Sequence, residues 1–139
     1  YRDAMKTALL LDPRFILTTP IPTSVSIGGA LFGDLLARAP DIDAVFCVND
    51  DIALGALFEC QRRQIAVPDD IAIVGFNDLE FMAAAVPSLT SVRTNRYEMG
   101  RDAIVMLTAA IGGERPAQPV VDLGFKLMVR QSSTPSRSA

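Results

Sequence analysis

Two rhythms of apolar residues alternate along this chain. One has helical spacing: Val25, Gly28, Phe32, Leu35 and Leu36 recur at three- and four-residue intervals until Pro40, with Thr23 and Ser24 placed to cap the helix. The other is a short unbroken run, seen at residues 44–48 and again at residues 71–76. Each run leads into Asn-Asp and then into a new helical pattern, over residues 52–63 in the first unit and over a short stretch ended by Pro87 in the second. Unbroken apolar runs set between helices predict strands buried on both faces of a parallel sheet, hence an α/β fold. Pro68, Asp69 and Asp70 supply the turn into the second strand.

The flanks fill out the pattern. Residues 1–10 predict an opening helix, broken at Asp12-Pro13, and residues 14–18 predict a short strand. Pro20, Ile21 and Pro22 form a turn or extended link. Beyond Leu89 the chain runs extended to Thr94. A third amphipathic helix is expected over residues 97–111, with Met99, Ala103, Met106, Leu107 and Ala110 on one face and Gly112-Gly113 as its stop. A last strand is expected over residues 120–129, and the polar residues 131–139 read as a disordered tail.

Composition narrows the function classes. Half of the 139 residues are hydrophobic, which a disordered chain does not show. Thirteen Lys and Arg against sixteen Asp and Glu give a net charge of −3, and the pI is about 4.8. The cations are scattered apart from Arg62-Arg63, so no basic face for nucleic acid is expected. No apolar run reaches membrane-spanning length and no membrane partner is expected; residues 1–10 read as the middle of a helix without an initiator Met, so a removed signal peptide leaves no trace here and a cytoplasmic location is only the default. Cys47 and Cys60, with no histidine, give no metal-ligand spacing; buried thiols are one reading and a disulfide the other. No cofactor signature is present: neither a dinucleotide glycine pattern nor a phosphate loop occurs.

The chemistry that remains sits at strand ends. In open α/β sheets, ligands bind beyond the carboxyl ends of the strands. The repeated Asn-Asp places Asn49, Asp50, Asn77 and Asp78 along one rim. Amides and carboxylates suit polyol hydroxyls, because an amide both donates and accepts and a carboxylate accepts from paired hydroxyls. Asn and Asp are also preferred helix caps, so a purely structural role competes at each position. The acid pairs Asp50-Asp51 and Asp69-Asp70 allow acid–base chemistry, yet acids at helix starts also complement the helix dipole, and an enzyme is not expected.

These residues resemble a known family. The segment 43–57 (DAVFCVNDDIALGAL) is similar to a signature of lactose-repressor-family sensor domains, and 67–78 (VPDDIAIVGFND) to a second. Residues 87–93 (PSLTSVR), Met99-Gly100 and residues 127–133 (LMVRQSS) resemble further family segments in the same order. Residues 57–63 (LFECQRR) resemble the gluconate-operon-repressor subgroup.

The resemblance implies a periplasmic-binding-protein-like (type I) sensor, incomplete here, with two lobes joined by crossover strands and a small effector between them. Residues 1–130 are then the C-terminal part of that sensor, with residues 95–121 belonging to the other lobe and crossings near residues 92–95 and 121–123. A DNA-binding helix-turn-helix domain is expected to precede the sensor and to carry the contact with DNA. By position, the effector contacts are Thr23, Asn49, Asn77, Thr94 and Arg96. The family usually has Asp at position 77 and commonly an aromatic at 96; losing a carboxylate and gaining a guanidinium both favour an anionic effector such as gluconate. A solvated helix-start arginine is the competing account of Arg96. The resemblance also implies a homodimer, with Ser24, Leu54, Leu57, Phe58, Phe81 and Ala85 at the interface. A transporter's periplasmic sugar-binding protein and a small α/β enzyme are the alternatives.

Overall fold

The computed structural model describes residues 1–114 and 118–134. Each Asn-Asp unit folds as strand, turn and helix. Strand β1 (Ala44–Phe46) leads into helix α3 (Asp50–Arg63), and β2 (Ala72–Asn77) into the short α4 (Phe81–Ala84). Before them lie α1 (Arg2–Thr7) and α2 (Val25–Arg38); after them lie β3 (Thr90–Thr94), α5 (Arg96–Ile111) and β4 (Phe125–Met128). The four strands form one sheet in the order β1-β2-β3-β4. The first three are parallel, so their carboxyl ends share one rim, while β4 runs antiparallel to β3 and makes the sheet mixed.

Helix α3 is specified at both ends. The Asn49 side chain accepts from Ile52 N at its start, Asp50 and Asp51 occupy the first turn, and Arg62 and Arg63 the last. Gln64 closes it in the left-handed region at φ 59°. Helices α2 and α3 cross at close range, because a Cβ on Gly28 would stand 2.6 Å from the Ile52 carbonyl oxygen. Phe32, Ile52, Leu57, Ile73, Met82 and Leu89 fill the core between these helices, the sheet and the β2–β3 connection.

Both cysteines are free and buried in this core, which settles the choice between thiols and a disulfide. Burial, aided by Asp50, pushes the Cys47 thiol up to about 12; burial, aided by Glu59, pushes Cys60 up to about 11. Neither thiol is expected to react with an aromatic disulfide reagent in the native protein at pH 8, whereas urea should release both. Because the folded values are raised, these thiols favour the native state fully below the unfolded thiol pKa of about 8.5. That contribution is lost as pH rises from there toward the folded values, so a urea midpoint that climbs between pH 8 and 10.5 would contradict their burial.

Several expectations are corrected. Residues 14–18 form no strand: Pro13–Phe15 is a 3-10 turn, because the Asp12 carboxylate accepts from Arg14 N and Pro13 presets the first turn position. The last strand is confined to Phe125–Met128. Residues 131–134 are not a disordered tail. Gln131–Ser133 is a 3-10 turn whose buried Ser132 donates to the Ile73 carbonyl at 2.6 Å and accepts from Thr90 N at 2.9 Å. Residues 135–139, the rest of that expected tail, lie outside the described residues. The amphipathic face of α5 is left largely open: no residue of α5 is buried, and Met99 and Leu107 are both more than half exposed.

Candidate functional site

The rim at the carboxyl ends of β1, β2 and β3 gathers the expected effector residues into two groups. In the first, Asn49 Nδ2 donates to Thr23 Oγ1 at 2.7 Å while Asn49 Oδ1 accepts from Ile52 N at 3.0 Å. Asn49 is therefore a helix cap, as its alternative reading required, and the same cap carries Thr23 to the rim. In the second group, Thr94 and Arg96 line an open groove of about 600 Å³ together with Asp78, Arg93, Asn95, Tyr97 and Glu98. Arg96 is exposed, and among the described residues its guanidinium has no hydrogen-bond or ion-pair partner.

Asn77 stands between the groups. It ends β2 in register with Arg93 of β3. Its φ is 107° and that of Asp78 is 55°, backbone that residues other than glycine seldom adopt. Its side-chain amide makes no hydrogen bond to a described residue.

Two carboxyl groups behind the rim hold this turn in place. Asp50 is fully buried; its oxygens accept from Leu79 N at 2.6 Å and from Ser91 Oγ at 2.7 Å. Gly75 leaves the room for it, since a Cβ there would stand 2.5 Å from Asp50 Oδ1. Asp78 donates its backbone N–H to Ser91 Oγ at 3.1 Å. The Asp78 side chain, 2% exposed, lies 2.7 Å from Arg93 Nη2 and 2.7 Å from Arg130 Nη2. Burial alone would raise the Asp78 carboxyl, but the two guanidiniums outweigh it and hold it below the ordinary carboxylate range. Its contribution to stability is thus complete at neutral pH and is lost only as pH falls through the lowered value. Sequence reasoning placed Asp50 and Asp78 on the rim without a partner, and it missed Arg93 and Arg130. The available signal was a Val-Arg pair at the end of each of two extended segments, at Val92-Arg93 and Val129-Arg130.

The two segments expected to cross between lobes lie side by side. Thr94 pairs with Phe125, and Asn95 Nδ2 donates to the Leu123 carbonyl at 2.9 Å. The excursion that carries α5 thus leaves and returns at one place.

Among the residues expected at a dimer interface, Leu57 is 1% exposed and belongs to the domain's own core, so it is unable to face a partner. The helical period that puts Phe58 toward the surface turns Leu57 inward. Phe58 is 42% exposed. Leu54, Phe81 and Ala85 are half-buried against the core, and Ser24 caps α2 by accepting from Ile27 N at 3.3 Å. No helix of the described residues is long and apolar enough to cross a membrane.

Comparison with known proteins agrees with this geometry. The family model for the periplasmic binding protein-like domain matches residues 1–133. The HTH-type transcriptional regulator GntR of Pseudomonas aeruginosa is 46% identical over 133 residues, which are 96% of this chain and 39% of that protein. The crystal structure of transcription regulator GntR from Chromobacterium violaceum matches with a TM-score of 0.88 at 45% identity, over 96% of this chain and 49% of that one. A transcriptional regulator CelR–cellobiose complex matches with a TM-score of 0.86 at 36% identity, over 95% of this chain and 40% of that one. The chain spans about two fifths of the length of the curated relatives it matches. It belongs to the periplasmic-binding-protein-like domain family, in the form carried by lactose-repressor-family transcription regulators.

Proposed function

We propose that this chain is the effector-sensing part of a cytoplasmic transcription regulator whose effector is a sugar acid of the gluconate type. The observation that carries the proposal is Arg96: an uncommitted guanidinium on a rim groove lined by Asp78, near the Asn77 turn, where the resemblance implies an Asp. Arg96 holds the effector's carboxylate, and Thr23, Asn49, Asn77 and Thr94 meet its hydroxyls. Closure of a second lobe, to which α5 belongs, over this rim is the conformational change that a DNA-binding domain reads. The exposed apolar face of α5 and the adjacent crossing segments support that geometry. The relatives named above are transcription regulators, which favours this reading over a transporter's binding protein. Titration of the intact protein with gluconate and with glucose tests it: gluconate should bind more tightly, and a preference for the neutral sugar would refute the sugar-acid assignment.

The intact regulator acts as a homodimer through Ser24, Leu54, Phe58, Phe81 and Ala85. A large aromatic left substantially exposed on α3 suits the centre of such a contact. Phe58→Glu should shift the sedimenting species from dimer to monomer at micromolar concentration without unfolding it; a dimer of unchanged strength would exclude this face.

A further inference from the structure

We infer that Asp78 is a positioning residue that aims the Asn77 amide at the effector; this rests on the sensor reading above. Asn77 and Asp78 both adopt positive φ, which Asn and Asp tolerate better than other residues with a Cβ but still at a cost, and two in succession need surroundings that hold them. Those surroundings are specific. The backbone N–H of Asp78 is bound by Ser91 Oγ, and that of Leu79 by Asp50. The Asp78 carboxylate is clamped by Arg93 from β3 and by Arg130 from just beyond β4. Arg130 is itself fixed by donating to the Leu89 carbonyl at 2.7 Å. The backbone N–H groups of Asp78 and Leu79 and the Asp78 carboxylate are thus held, Asp78 Oδ1 by its ion pair with Arg130 alone, while the Asn77 amide is left without a partner among the described residues. A rigid turn that presents one free amide at the carboxyl end of a parallel strand is built to meet a ligand polar group rather than to stabilise the fold.

The dependence of Asp78 on Asn77 gives the test. Gluconate is titrated calorimetrically into the intact regulator as wild type, Asp78→Asn, Asn77→Ala and the double variant, below the unfolding range of each. Asp78→Asn should weaken binding ~10-fold in the wild-type background and less than about 2-fold once Asn77 is alanine, because the residue acts through that amide. Equal losses in both backgrounds would show a general structural role and overturn the inference, as would no loss in the wild-type background. Where Asp78→Asn does not fold, Arg130→Lys enters the same cycle with the same expected and overturning results. A wild type that binds no gluconate fails at the first titration; this sinks the sugar-acid reading and the inference with it, and is distinct from a cycle that proves additive.

Discussion

Asp50→Ala is expected to destabilise the intact protein by roughly 1–4 kcal/mol, because the buried Ser91 hydroxyl loses its acceptor at about 1–3 kcal/mol and the part-buried Leu79 N–H loses its own at a smaller cost. The small side chain also leaves a void against Gly75 and Met82. Asp50→Asn should be much milder. Its amide oxygen can still accept from Leu79 N–H and its amide nitrogen can donate to Ser91 Oγ, so only the Ser91 hydroxyl proton loses its acceptor and no void is left. Urea unfolding followed by circular dichroism separates the two variants. An alanine variant within about 0.5 kcal/mol of wild type would mean that the α3 start and the 77–79 turn are not joined through Asp50.

Legibility of the fold followed the reach of the forces involved. The apolar runs at residues 44–48 and 71–76 and the Asn-Asp turns revealed β1, β2 and their helices, because burial on both faces and helix capping are written in neighbouring residues. Asn49 was legible for the same reason, and the sequence left its two roles undivided; the geometry shows the cap and the link to Thr23 in one side chain. What was hidden is long-range. Nothing local marks Ser132 as a buried bridge between β2 and β3, since a polar serine in a polar tail has the composition of disorder. Leu57 was placed at the interface by the family resemblance alone, and only the packing of α2 on α3 decides which side of the helix is inside. The Asp78–Arg93–Arg130 clamp unites residues from three strand ends, a juxtaposition fixed by sheet order rather than by sequence spacing.

The same clamp shapes what Arg96 is able to do. Of the charged groups on the groove, Asp78 is already neutralised by two guanidiniums, which leaves Arg96 and the exposed Glu98 as the charges without such a clamp. A ligand carboxylate entering the groove therefore meets a cation that need not first break an internal ion pair, and cleft closure would strengthen the contact by excluding water. A charge-assisted hydrogen bond of this kind contributes roughly 1.5–3 kcal/mol, so Arg96→Ala should weaken gluconate binding by about ten- to over a hundredfold. Binding of a neutral sugar of similar size should change by less than about threefold, because the residues proposed to meet its hydroxyls, Thr23, Asn49, Asn77 and Thr94, are left in place by the substitution. Arg96→Lys should fall between, keeping the charge while losing the planar fork that matches a carboxylate. Calorimetry on the intact regulator decides the matter. If Arg96→Ala leaves gluconate affinity unchanged, or lowers both ligands alike, Arg96 is a solvated helix-start residue and the carboxylate must be sought elsewhere on the rim.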